Sequence, residues 1–310
     1  MVVGEEPSSE TESRWLIAAR PARLTSSLAC CDREVRSLNH RFVASPYPHG
    51  AGPLVRIALH HSGDVGFRAG RILLGDRRVE VVGLIDRSPT DDHDGRLERV
   101  DDWAAYDLVL TDDTAPKWVV ARAAAAGMSC VTWMDGDDDG VPTPGAGIVV
   151  LCGANLASGI APCLASHEVA RAGSVSEITV AWTEPGSPLR SGEPLAFPDP
   201  VGGRWGRRQR PNAFVAPVPG DWAGAMVKIT FSEPDNRSTR IVGVADLAPH
   251  LEAIALAAGA LAVGSGAFQP GLRRPADAAE AYLAAALGVG LDVAAYSISA
   301  DRNDVRRPKR

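Results

Sequence analysis

From residue 54 onward the chain alternates short apolar runs with amphipathic stretches. Leu54-Val-Arg-Ile-Ala-Leu59 is apolar enough for a buried strand, and Phe67, Ile72, Leu73 and Leu74 give the stretch after it a helical packing face. Val79-Glu-Val-Val-Gly-Leu-Ile-Asp86 reads as a second strand. Asp107 to Thr111, Ser129 to Trp133 and Gly147 to Cys152 read as further strands, with a helix from Pro116 to Ala126 whose proline sits in its first turn. Strands separated by helices predict an α/β fold with a doubly wound parallel sheet.

The pattern then changes. A helix is expected from about Ile160 to Ala172 and a strand from Ile178 to Trp182, followed by strands Met226 to Phe231 and Thr239 to Asp246. Two apolar, alanine-rich helices follow, one around Leu251, Ile254, Leu256 and Leu261, the other from Ala276 to Leu287. This composition predicts a second α+β domain. Pro194 to Gly203, the basic run Arg204 to Arg210 and Pro217 to Trp222 are expected as loops, because proline and glycine crowd them. The predicted boundaries are 1–52 as a flexible extension, 53–153 and 154–300 as two domains, and 301–310 as a charged tail.

Chemistry enters at the first helix. Gly63, Gly66 and Ala69 fall at a G-x-x-G-x-x-A spacing between strand and helix, the layout of a dinucleotide-binding turn. Glycine there removes the Cβ that would hold a pyrophosphate away, and the amides around Val65 belong to a helix N-terminus that attracts anions. Asp86, about 20 residues past the turn, suits the ribose hydroxyls of NAD, while the neighbouring Arg87 could neutralise the 2′-phosphate of NADP, so both cofactors stay open. Asp64 and the His60-His61 pair are unusual beside a pyrophosphate.

Composition removes other classes. Thirty-eight acidic against 32 basic residues give a net charge of -6, which argues against nucleic acid as a partner. No apolar run is long enough for a membrane span and no leader pattern opens the chain, so the cytoplasm is the expected location. Five cysteines, Cys30, Cys31, Cys130, Cys152 and Cys163, make no metal or disulfide spacing and read as reduced thiols. The seven histidines show no ligand spacing, and the acidic run Asp135 to Asp139 lacks the twelfth-position acid of a calcium loop, so no metal is expected.

Asn155 and Ser158, in Gly153-Ala-Asn-Leu-Ala-Ser-Gly159, sit where a strand's carboxyl end meets a helix, the edge at which open α/β sheets bind ligands. Ser158 could equally cap that helix. The element order, the Gly63/Gly66/Ala69 turn, Asp86 and the Asn155-to-Gly159 segment together resemble the dihydrodipicolinate reductase and saccharopine dehydrogenase-like group of Rossmann oxidoreductases, over roughly residues 54–183. The resemblance implies a Rossmann domain holding NAD or NADP, with Asn155 and Ser158 beside a small-molecule substrate. It also implies a His-His pair, a Lys and a Pro-Ser-Gly-Thr run after the next strand. This chain has Trp182-Thr-Glu-Pro-Gly-Ser-Pro-Leu-Arg190 there instead, so no proton donor carries over.

Donors must then come from elsewhere: Lys228 and His250 are the catalytic candidates, with Glu252, Asp246 and Glu184 behind them. The expectation is an NAD(P)-dependent oxidoreductase of a small carbonyl or imine compound. The alternative is a catalytically silent nucleotide-binding regulator or scaffold, with its alanine-rich helices packing within one chain or building a homo-oligomer.

Overall fold

Seven strands form one all-parallel sheet: β2 (Val55–His60), β3 (Val79–Leu84), β4 (Leu97–Arg99), β5 (Leu108–Thr111), β6 (Ser129–Thr132), β7 (Val149–Leu151) and β14 (Gly271–Arg273). Their spatial order is β4-β3-β2-β5-β6-β7-β14. The first six therefore run 3-2-1-4-5-6, the doubly wound order whose direction reverses between β2 and β5. The computed structural model describes residues 36–37, 54–60, 63–85, 95–112, 117–135, 144–172, 174–186, 192–199, 202–216, 222–232 and 237–300. Asp86, Arg87, Cys30, Cys31 and most of the Asp135 to Asp139 run lie outside them.

These strands read as unbroken apolar runs because both faces are covered. Ile57, Leu59, Val82, Leu108, Leu110 and Val131 pack against helices α1 (Asp64–Leu74) and α4 (Ala248–Gly264) on one side. Ala58, Val81, Val109, Cys130 and Val150, one residue out of step, pack on the other side with Val119, Val120 and Ala123 of α2 (Lys117–Ala125). The close crossing of α1 over the sheet depends on Gly70, where a Cβ would lie 2.9 Å from Leu59 Cδ2. Cys130, Cys152 and Cys163 are buried free thiols; burial raises all three, Cys152 to about 11.

A second, mixed sheet has the order β1-β15-β13-β12-β8-β11-β10-β9. Its strands are β1 (Arg36–Ser37), β8 (Val175–Thr183), β9 (Pro194–Asp199), β10 (Gly202–Arg210), β11 (Ala213–Val215), β12 (Ala223–Ser232), β13 (Arg237–Asp246) and β15 (Ala294–Ala300). Only β8 and β11 pair in parallel. Helix α3 (Ala161–Arg171), α4 and α5 (Ala279–Gly288) cover one face. Phe197, Phe214, Trp222 and Met226 build a smaller core on the other.

Helix α4 explains its own composition. Its residues from Ala253 to Ala262 are all buried, since both sheets contribute to the core around it. A helix between two sheets has no wet face, so it carries no amphipathic stripe. At Gly259 a Cβ would meet Val131 Cγ1 at 2.9 Å and Ala154 Cβ at 3.1 Å, which is how closely the helix approaches the parallel sheet.

Two expectations fail here. Pro194 to Gly203 and Arg204 to Arg210 are not loops but the hairpin β9–β10, paired from Pro194–Arg207 to Asp199–Gly202. The prolines fit because β9 ends the sheet and has one ladder partner. The arginines fit because acids meet them: Arg204 with Asp199 at 3.2 Å, Arg208 with Glu193 at 3.0 Å and Arg210 with Glu184.

Candidate functional site

The crevice at the carboxyl ends of β2 and β5, where the strand order reverses, is the place this topology reserves for a ligand. His60 closes β2, Thr111 closes β5 and Asp112 follows it. Nδ1 of His60 lies 3.2 Å from Thr111 Oγ1, and the imidazole stands edge-on to Trp118, 4.9 Å away, at the start of α2. Gly63 is the N-cap of α1, in extended backbone (φ -154°) and without a side-chain cap of its own.

The missing cap comes from the adjacent strand. The buried Asp112 carboxylate accepts the Gly66 N–H through Oδ2 at 2.7 Å. Asp64 pairs with Arg68 at 2.6 Å, largely in solvent. Val65 packs partly against the core, and Ala69 is fully buried. Of the residues expected at a cofactor, then, Gly63, Val65, Gly66 and Ala69 form the turn and first helix, while Asp86 and Arg87 fall outside the described residues.

A second helix N-terminus opens on the same edge. After β7 the chain makes a wide turn, in which Gly159 and Ile160 both donate to Asn155 O at 2.9 and 3.1 Å, before α3 begins. Asn155 is its cap: Oδ1 accepts Ser158 N–H at 2.7 Å, and Nδ2 donates to Trp133 O at 2.8 Å. Ser158 supplies the capped amide rather than the capping side chain, because the longer turn moves the N-cap three residues earlier. Glu252, from α4, completes this joint; its Oε2 accepts both Trp133 Nε1–H at 2.9 Å and Leu156 N–H at 3.0 Å. Burial pushes the Glu252 carboxyl above its ordinary range, against the pull of those two donors.

Among the described residues, neither catalytic candidate is hydrogen-bonded to this joint. Lys228 is mid-strand in β12, between Thr179 and Ile241. Alternation puts it with Met226, opposite the Ala225, Val227 and Ile229 face that shares a core with Leu156. His250 pairs with Asp246 at 2.7 Å at the exposed start of α4, and helical spacing turns it away from Glu252 two positions on. Glu184 is held by Arg210. Asp112 is the contribution that strand and helix spacing did not single out, and Glu252, offered only as a proton donor, holds the joint together instead. The only sequence signal for Asp112 was an acid directly after an apolar strand, and Glu252 becomes legible only when 252 is set against 133 and 156. Among the described residues no cluster of histidine, cysteine and acid is placed to hold a metal, and no helix is long and apolar enough to cross a membrane.

No family model matches this sequence, and no curated protein does. Solved structures do match. A meso-DAP dehydrogenase variant of Clostridium tetani with DAP aligns at a TM-score of 0.50 and 12% identity, over 74% of this chain and 96% of that one. The chain shares the fold of that dehydrogenase. An engineered D-amino acid dehydrogenase bound to NADP+ aligns at 0.49 and 15% identity, over 72% and 94% of the two chains. A dipicolinate-bound dihydrodipicolinate reductase of Paenisporosarcina aligns at 0.43 and 10%, over 71% and 97%. At 12% identity the likeness to the first of these is one of fold, and it agrees with the doubly wound parallel sheet and second α+β region expected from the sequence.

Proposed function

We propose that the protein binds NAD or NADP and acts as an oxidoreductase on a small carbonyl or imine compound. The observation that carries this reading is the α1 N-terminus, with Gly63 at its cap, set at the reversal of a 3-2-1-4-5-6 parallel sheet. The residues fit a dinucleotide there. Among the described residues, only the Asp112 carboxylate comes within 4.0 Å of where a Gly63 Cβ would stand, so a phosphate could approach the turn backbone. Gly63, Val65 and Gly66 would hold the pyrophosphate, and Asp86 or Arg87 would choose between the two ribose forms. The bound cofactor would supply hydride transfer. The chain would shape the crevice and exclude water with Trp118 and His60, and present Asn155 and Ser158 toward the substrate side, with Lys228 or His250 as proton donor only if substrate binding moves one of them in.

A second reading, a catalytically silent nucleotide-binding regulator or scaffold, is favoured by the pairing of His250 with Asp246 and by the place of Lys228 on the face of β12 opposite the core that holds Leu156. Titration with NADH and NADPH, followed by cofactor fluorescence, separates binding from chemistry. Because Gly63 has ordinary extended backbone, Gly63→Val leaves the fold intact while its side chain intrudes on the phosphate. Saturable binding weakened at least about tenfold by Gly63→Val supports the dinucleotide site. Turnover with small oxo or imino acids would then support the enzyme, and its absence across such a panel the silent reading. No binding of either cofactor overturns both.

A further inference from the structure

One buried charge sits where a cofactor phosphate would be held. Asp112 is 7% exposed, and its Oδ2 both accepts the Gly66 N–H at 2.7 Å and lies 4.0 Å from the Cβ position of Gly63. The carboxylate thus spans the turn from the cap to the third residue of α1. That residue's amide is one of the donors a helix leaves unpaired, and it is normally offered to a cap or to a bound anion. Here the neighbouring strand delivers the anion.

We infer that Asp112 is a resident anion at the phosphate end of the crevice, and that its charge sets how tightly a dinucleotide binds. This rests on the dinucleotide reading above and deepens it. The α1 dipole stabilises the Asp112 carboxylate as it would a phosphate, so the two compete for one positive helix end. Their like charges repel strongly in a partly dry crevice. A dinucleotide must therefore displace the carboxylate from Gly66 or bind beside it at a cost, and the free protein keeps its turn ordered without ligand.

The test is the pair Asp112→Asn and Asp112→Ser in the full chain, titrated with NADH and NADPH and compared with the unsubstituted protein. Far-ultraviolet circular dichroism and the thermal midpoint establish that each variant is folded. Asparagine keeps an acceptor for the Gly66 N–H and removes the charge; serine removes the charge with a shorter acceptor, and serves if the asparagine variant fails to fold. Affinity about tenfold tighter in the folded neutral variants supports the inference. Unchanged or weaker affinity overturns it while leaving the dinucleotide reading standing, and makes Asp112 a structural cap alone. No binding by any of the three proteins overturns the inference together with the dinucleotide reading.

Discussion

Two helix N-termini open on the same carboxyl edge of the parallel sheet, and each is closed by an acid from elsewhere in the chain. At α1, Asp112 reaches one strand across to the Gly66 amide of a glycine turn. At the turn leading into α3, Glu252 arrives from a helix about a hundred residues away and takes the Leu156 amide together with the Trp133 indole, while Asn155 holds Ser158. Among the described residues the first end has one side-chain cap and a bare glycine at its N-cap; at the second, Glu252 and Asn155 take two amides between them, and Glu252 also fastens α4 to the sheet through the Trp133 indole. An end with a single exchangeable cap suits a ligand. An end with several interlocked caps is a joint, and loosening it would part the second region from the first.

Breaking the joint should have the larger effect on stability. Glu252→Leu leaves the Trp133 and Leu156 N–H groups without an acceptor, and should lower the unfolding free energy by about 3 kcal/mol in urea titration. An unchanged midpoint would mean that water replaces the carboxylate and that the joint is as open as the first end.

Asn155→Ala removes a cap and the bond to the Trp133 carbonyl, with an expected loss of about 2 kcal/mol. Ser158→Ala should change stability by under about 0.5 kcal/mol, because Ser158 lends the turn its amide and not its hydroxyl. Equal losses from the two would return the capping role to Ser158.

The smallest effect is one of pH. The Glu252 carboxyl titrates above its ordinary 4.5 in the folded chain, so the stability linked to its protonated form is present below that value and declines as pH rises through the raised one. Glu252→Gln cannot ionise and provides the flat reference. Relative to it, the unsubstituted protein should lose stability on going from pH 4.5 upward through that window; a constant difference would show a carboxylate as well solvated as one on the surface.

Much of the fold was legible in the sequence. Runs such as Leu54 to Leu59 and Asp107 to Thr111 appear as β2 and β5 because a strand buried on both faces must be apolar throughout, and that requirement is local. The hairpin β9–β10 was not legible. Pro194, Pro198 and four arginines argue against a strand until it is known that β9 ends its sheet and that Asp199, Glu193 and Glu184 stand opposite the charges. The same limit applied at the candidate site. Gly63 and Gly66 announced a turn through their spacing, but nothing in residues 60–70 announced that Asp112 would close it.

By itself the sequence determined the alternation of strands and helices, the glycine turn and the burial of α4, because hydrophobic period and glycine's missing Cβ act within a few residues of chain. Tertiary structure alone decided which acids cap which helix, which arginines find partners, and that Glu252 reaches the turn capped by Asn155. Those outcomes depend on strand order and on the crossing of helices over sheets. The contacts of the capping acids join residues 46 to 119 positions apart, and no local pattern encodes them.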